Sequence, residues 1–146
     1  MTRFIVDTNV VVSGLLTNDL TSPPARILDA MLADGIRCIV SEELLSEYRS
    51  VLLRPAISSR HGLSEDEIDT LLERLALTCA VRAPSDSAPD PPDPGDAHIW
   101  ALLQAEPQAV LITGDRRLID AAPSIWRVIS PADAIEEVET TPDKPS

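Results

Sequence analysis

The stretch Arg3-Phe4-Ile5-Val6-Asp7-Thr8-Asn9-Val10 decides the fold. Its apolar run, Phe4-Ile5-Val6, breaks off at Asp7-Thr8-Asn9, which reads as a buried strand running into the start of a helix. The helix is expected over Val10 to Leu16. An acid at the end of a buried strand either caps the next turn or serves chemistry.

Working outward, the same alternation repeats. Pro23 and Pro24 introduce a helix with Ile27, Leu28, Met31 and Leu32 at helical spacing, and Gly35 terminates it. Ile36 to Val40 form the next strand. Ser41 caps a helix with Glu42 and Glu43 in its first turn and a stripe of Leu44, Leu45, Tyr48, Val51 and Leu52, which Pro55 ends. Ser64 and Glu67 make a capping box for the helix carrying Ile68, Leu71, Leu72 and Leu75. Thr78 to Arg82 read as a third strand.

Ala83 to Gly95 hold five prolines, so this segment is a loop long enough to form a functional rim. Asp96 then opens a helix through Ala105, and Ala109 to Thr113 form a fourth strand. Asp115 starts a short helix, Trp126 to Ile129 make a fifth strand, and Pro131 opens a last helix. Strands alternating with helices predict a three-layer α/β domain with a mainly parallel sheet, because parallel neighbours need crossover helices. One domain is expected over residues 1–138, followed by a flexible acidic tail over 139–146.

A formal net charge of −12 argues against a protein that coats nucleic acid nonspecifically, since that mode draws its affinity from Lys and Arg. It leaves open an enzyme that acts on nucleic acid. With aromatic residues at 3%, the core must be aliphatic. Cys38 and Cys79 lie beside apolar residues without CxxC spacing and are expected to be reduced core residues. No apolar run approaches a membrane span, so a cytoplasmic location is the expectation.

Parallel sheets bind ligands at the carboxyl ends of their strands, and the predicted winding brings Asp7, Glu47, Asp96 and Asp115 to that end. Taken singly, Asp7, Asp96 and Asp115 are each equally well explained as helix caps. Glu47 borders its helix's apolar stripe and needs a partner, either an arginine such as Arg49 or Arg54 or a bound cation. Together, four carboxylates without Cys or His suit a hard divalent ion such as Mg²⁺ or Mn²⁺ rather than zinc. Asp93 is a further ligand candidate or a turn residue. His61 and His98 read as surface or helix-face residues. Asn9 and Thr113 are candidates for supporting hydrogen bonds, and Arg116 and Arg117 for contact with a phosphate backbone.

The segments Ile5-Val6-Asp7-Thr8-Asn9-Val10, Ser41-Glu42-Glu43-Leu44-Leu45-Ser46-Glu47-Tyr48, Asp93-Pro94-Gly95-Asp96 and Ile112-Thr113-Gly114-Asp115-Arg116 resemble, in order and spacing, the PIN-domain family. The closest likeness is to the VapC-type toxins of bacterial toxin-antitoxin pairs, over roughly Arg3 to Ile135. The resemblance implies a PIN fold with a five-stranded parallel sheet between helical layers, and a Mg²⁺- or Mn²⁺-dependent ribonuclease. On it, Asp7, Glu47, Asp96 and Asp115 fall at the family's acidic positions, and Asn9 and Thr113 at its supporting ones. It also implies an RNA substrate, products with a 5′-phosphate and a 3′-hydroxyl, a homodimer and an antitoxin partner. Exposed apolar faces on the helices Ile27 to Leu32 or Leu44 to Leu53 would suit such contacts. The alternatives are a PIN nuclease of RNA processing with no antitoxin, and a noncatalytic module that keeps the fold.

Overall fold

Arg-Phe-Ile-Val and Arg-Cys-Ile-Val open the first two strands, β1 (Arg3–Val6) and β2 (Arg37–Val40), and in each the three residues after the arginine are buried. Three buried residues in succession, rather than alternate ones, require cover on both faces of the sheet. The computed structural model, which describes residues 2–140, supplies that cover as a three-layer α/β/α arrangement. Its remaining strands are β3 (Cys79–Val81), β4 (Val110–Ile112) and β5 (Arg127–Ile129). They stand in the order β3-β2-β1-β4-β5, and every neighbouring pair is parallel.

β1 is the centre of the sheet. The chain proceeds from it through β2 to β3 on one side, then crosses to β4 and β5 on the other. The reversal creates a switch point between β1 and β4, where the two loops leaving their carboxyl ends diverge. The crossover from β3 to β4 carries the proline-rich loop, a 3₁₀ turn at Pro94–Asp96 and then the helix Ala97–Ala105.

Among the described residues the helices are α1 (Thr8–Leu16), α2 (Pro23–Leu32), α3 (Glu42–Leu52), α4 (Pro55–His61), α5 (Glu65–Thr78), α6 (Ala97–Ala105), α7 (Arg116–Ala121) and α8 (Pro131–Thr140). Most begin where their sequence signals lie. Ser22, Ser41 and Ser64 each accept a backbone N–H of the first turn, and the reciprocal Ser64–Glu67 capping box is formed. α1 starts at Thr8, within the Asp7-Thr8-Asn9 segment read as the helix start, and Asp7 itself accepts the Thr8 N–H. Gly14 lets α1 approach α2: a Cβ there would lie 2.6 Å from the Pro24 carbonyl oxygen.

Three expectations are corrected. Pro55 ends α3 and also starts α4, a helix the sequence reading omitted, which closes on Gly62 in the left-handed conformation. The last helix runs through Thr140, two residues into the expected tail, and Glu139 makes an ion pair with Arg26 of α2. The rest of that tail, 141–146, lies outside the described residues. Finally, the apolar faces of α2 and α3 are not exposed: Ile27, Leu28, Met31, Leu44, Tyr48 and Leu52 are all buried within the chain. Hydrophobic burial has already used them.

The core is aliphatic around Ile5, Ile39, Leu111 and their neighbours, with Trp100 and Trp126 meeting edge to face, their centroids 5.4 Å apart. Cys38 and Cys79 are free, buried and paired in register across β2 and β3. No helix among the described residues is long and apolar enough to cross a membrane.

Candidate active site

Asp7 is 4% exposed, and an aspartate at that depth needs its oxygens satisfied. Its backbone N–H donates to the Ile112 carbonyl of β4 at 2.9 Å, which fixes it at the switch point. One carboxylate oxygen, Oδ1, accepts the Thr8 N–H at 2.8 Å. The other, Oδ2, accepts the Thr113 hydroxyl at 2.8 Å and the Asn9 side-chain amide at 3.3 Å. Burial is the main force raising the Asp7 pKa above its usual range, opposed by the Thr113 and Thr8 hydrogen bonds.

Asn9 and Thr113 therefore hold the two loops together. The Asn9 side-chain oxygen, Oδ1, accepts the Gly114 N–H at 2.9 Å, and the Thr113 hydroxyl oxygen accepts the Asp115 N–H at 3.0 Å. Thr113 thus reaches the backbone of Asp115 and the carboxylate of Asp7. The two supporting positions expected from the sequence lock the orientation of Asp7 relative to Asp115.

Glu47 projects from α3 toward the same end of the sheet. Its Oε1 accepts the Thr8 hydroxyl at 2.6 Å, so Thr8 links Glu47 to Asp7. Its ionic partner is neither of the arginines first considered as pairs. Arg49 turns away to Asp69 and Glu65, and the closest cation is His98 of α6, whose Nε2 stands 3.3 Å from Oε1.

This contact has ion-pair distance without the alignment of a hydrogen bond, and His98 Nδ1 has no partner among the described residues. The imidazole is chiefly what holds the Glu47 carboxyl below its usual range, and the carboxylate pushes His98 up. His98 lies on the face of α6 that meets Glu47. His61 keeps its structural role, with Nε2 at the Leu52 carbonyl and Nδ1 accepting the Leu63 N–H.

Asp96 occupies the N-cap position of α6, yet its side chain makes no cap hydrogen bond. That removes the simplest structural explanation for an acid here. Burial raises its pKa to about 6, reinforced by the charges of Asp7, Asp93, Glu47 and Asp115. All four sequence-predicted acids thus share one electrostatic environment. Asp115 does cap, accepting the Arg117 N–H at 2.9 Å through Oδ1, and Asp93 accepts the Gly95 N–H as a turn residue. Arg117 Nε stands 3.7 Å from Asp115 at the rim, while Arg116 leans to Asp120 along α7.

Carboxylate oxygens whose neighbouring negative charges help raise the proton affinity of Asp7 and Asp96 are the chemistry a hard divalent cation takes. Among the described residues, however, no three His, Cys, Asp or Glu side chains are grouped closely enough to hold a metal ion. The four-carboxylate shell expected from the sequence is not preformed. The donor set still fits Mg²⁺ or Mn²⁺, since Mg²⁺ commonly keeps several waters and binds through one or two carboxylates plus substrate phosphate. It does not fit a closed zinc or calcium cage.

No curated protein matches the chain. A family model described as the PIN domain matches residues 3–117, which include β1 to β4, Asn9, Thr113 and every acid of the site. The chain belongs to the PIN-domain family.

Proposed function

We propose that this chain is a divalent-cation-dependent ribonuclease that hydrolyses RNA phosphodiester bonds and acts as the toxin of a toxin-antitoxin pair. PIN domains are generally nucleases, which supports hydrolase chemistry. The single observation that carries the reading further is Asp96, a half-buried acid that makes no cap and whose pKa is about 6 among four other carboxylates.

In this reading Asp7, Glu47, Asp96 and Asp115 would supply one or two direct carboxylate ligands to a Mg²⁺ or Mn²⁺ ion that keeps several of its waters, with Asp93 as a further candidate. The bound ion supplies positive charge that offsets the carboxylate repulsion and polarises the scissile phosphate. Asp7, immobilised by Thr8, Asn9 and Thr113, sets the orientation of the site. Asp96 accepts the proton of the attacking water, a task for which a pKa close to the working pH is best. Arg117, at the rim, meets the phosphate backbone, with Arg116 beside it on α7.

A single RNA strand suits the site better than a duplex, because its unpaired backbone can bend to reach the buried Asp7 and half-buried Asp96. The toxin role, the antitoxin and the homodimer are carried over from the likeness of the four motifs to VapC-type toxins. The decisive experiment incubates the protein and Asp96→Asn with total RNA and Mn²⁺, then maps new 5′ ends. The wild type should yield discrete 5′-phosphorylated ends that the variant does not. Identical fragments from both would overturn the proposal. Induced expression should also arrest growth, and Asp96→Asn should relieve it.

A further inference from the structure

At the amino ends of the strands, opposite the end that bears Asp7, a cavity of about 650 Å³ is lined by Thr2, Arg3, Arg37, Glu106 and Gln108, among others. Arg3 and Arg37 are the first residues of β1 and β2 and are partners in register. Neighbouring strands lie about 4.8 Å apart, so the two arginines leave the sheet from adjacent backbone positions, and like charges directly opposite each other destabilise a sheet.

The sequence had ample means to neutralise them, with 24 acids against 12 bases. Arg26, Arg49, Arg82, Arg116, Arg117 and Arg127 each stand beside a carboxylate. Among the described residues neither Arg3 nor Arg37 has such a partner. Glu106, on the wall of the same cavity, is directed to Arg82, with 3.9 Å between them.

We propose that this cavity is a second anion site, which takes a phosphate group between the guanidinium groups of Arg3 and Arg37. Guanidinium forks present parallel N–H donors that match phosphate oxygens bidentately, and a dianion matches two cations in charge. Gln108 and Thr2 contribute neutral polar groups to the lining. The phosphate is either free or part of a nucleotide. The site does not depend on the nuclease reading, since it lies at the other end of the strands.

The test titrates the full chain, in EDTA, with inorganic phosphate and separately with adenosine 5′-monophosphate, following the arginine Nε–Hε NMR signals. Saturable shifts are expected at Arg3 and Arg37. In Arg3→Gln/Arg37→Gln the dissociation constant should rise at least about tenfold, and in Arg3→Lys/Arg37→Lys, which keeps charge without the fork, by less. Tighter binding of the nucleotide identifies a nucleotide site, and equal binding identifies a free-phosphate site. Both arginines are exposed, so the variants should retain the wild-type circular dichroism spectrum. Absence of saturable shifts with both probes, or unchanged affinity in the glutamine variant, would overturn the proposal.

Discussion

One proton at Asp96 separates two forms of the site. Its pKa in the folded protein, about 6, lies above the ordinary 3.8 of an aspartate, so between those values the folded chain holds a proton the unfolded chain has released. The contribution of this carboxyl to stability is fully present below pH 3.8 and is lost as pH rises through 6. Ion-free protein should therefore lose thermal stability over that window. Asp96→Asn should flatten the loss, raise the melting temperature at neutral pH and abolish stabilisation by Mn²⁺. Calorimetry at several pH values, with and without the ion, checks all three. A second prediction concerns Asp7. Thr113→Val removes a 2.8 Å donor and should lower kcat by about 10- to 100-fold, the range typical when a group that orients a metal-site ligand is lost. The fall should appear in single-turnover RNA cleavage with KM little changed. The sequence exposed Asp7, Asn9 and Thr113 because they sit directly after strands. It hid His98, whose partner Glu47 lies on another helix and is brought near only by packing.

Among the helices, legibility followed local chemistry. The capping box at Ser64 and Glu67 and the Ser41 cap of α3 were readable because each is a hydrogen bond between near neighbours, and the start of α2 was readable from Pro23 and Pro24. α4 was not, since Pro55 was taken only as a stop signal and Pro-Ala-Ile-Ser-Ser-Arg-His carries no apolar stripe and no buried residue. Proline at the first helical position also starts helices, because its missing N–H has no partner there in any case. Gly14 shows how closely elements can be fitted. Gly14→Ala would drive a methyl group into the Pro24 backbone, which cannot swing aside as a side-chain tip would. It should cost about 1–3 kcal/mol in urea denaturation despite alanine's better helix propensity. A smaller effect, about 1 kcal/mol, is expected for Ser64→Ala through loss of the cap.

At the scale of the whole chain, the winding of the sheet was legible from the alternation of apolar runs, while the closeness of the acids was not. Sequence reasoning expected a ready-made shell of four carboxylates. The fold instead spends Glu47 on Thr8 and His98 and one Asp115 oxygen on a cap, and leaves Asp96 uncommitted. The match to the family model ends at residue 117, but the sheet continues, with β5 pairing along β4 and Ala134 of α8 fully buried. A shortened version stopping at Arg117 would strip β4 of its outer neighbour and uncover a row of unsatisfied amides and carbonyls beside bare aliphatic surface. Anyone preparing such a minimal fragment should expect inclusion bodies, and an affinity tag belongs after α8 rather than in its place.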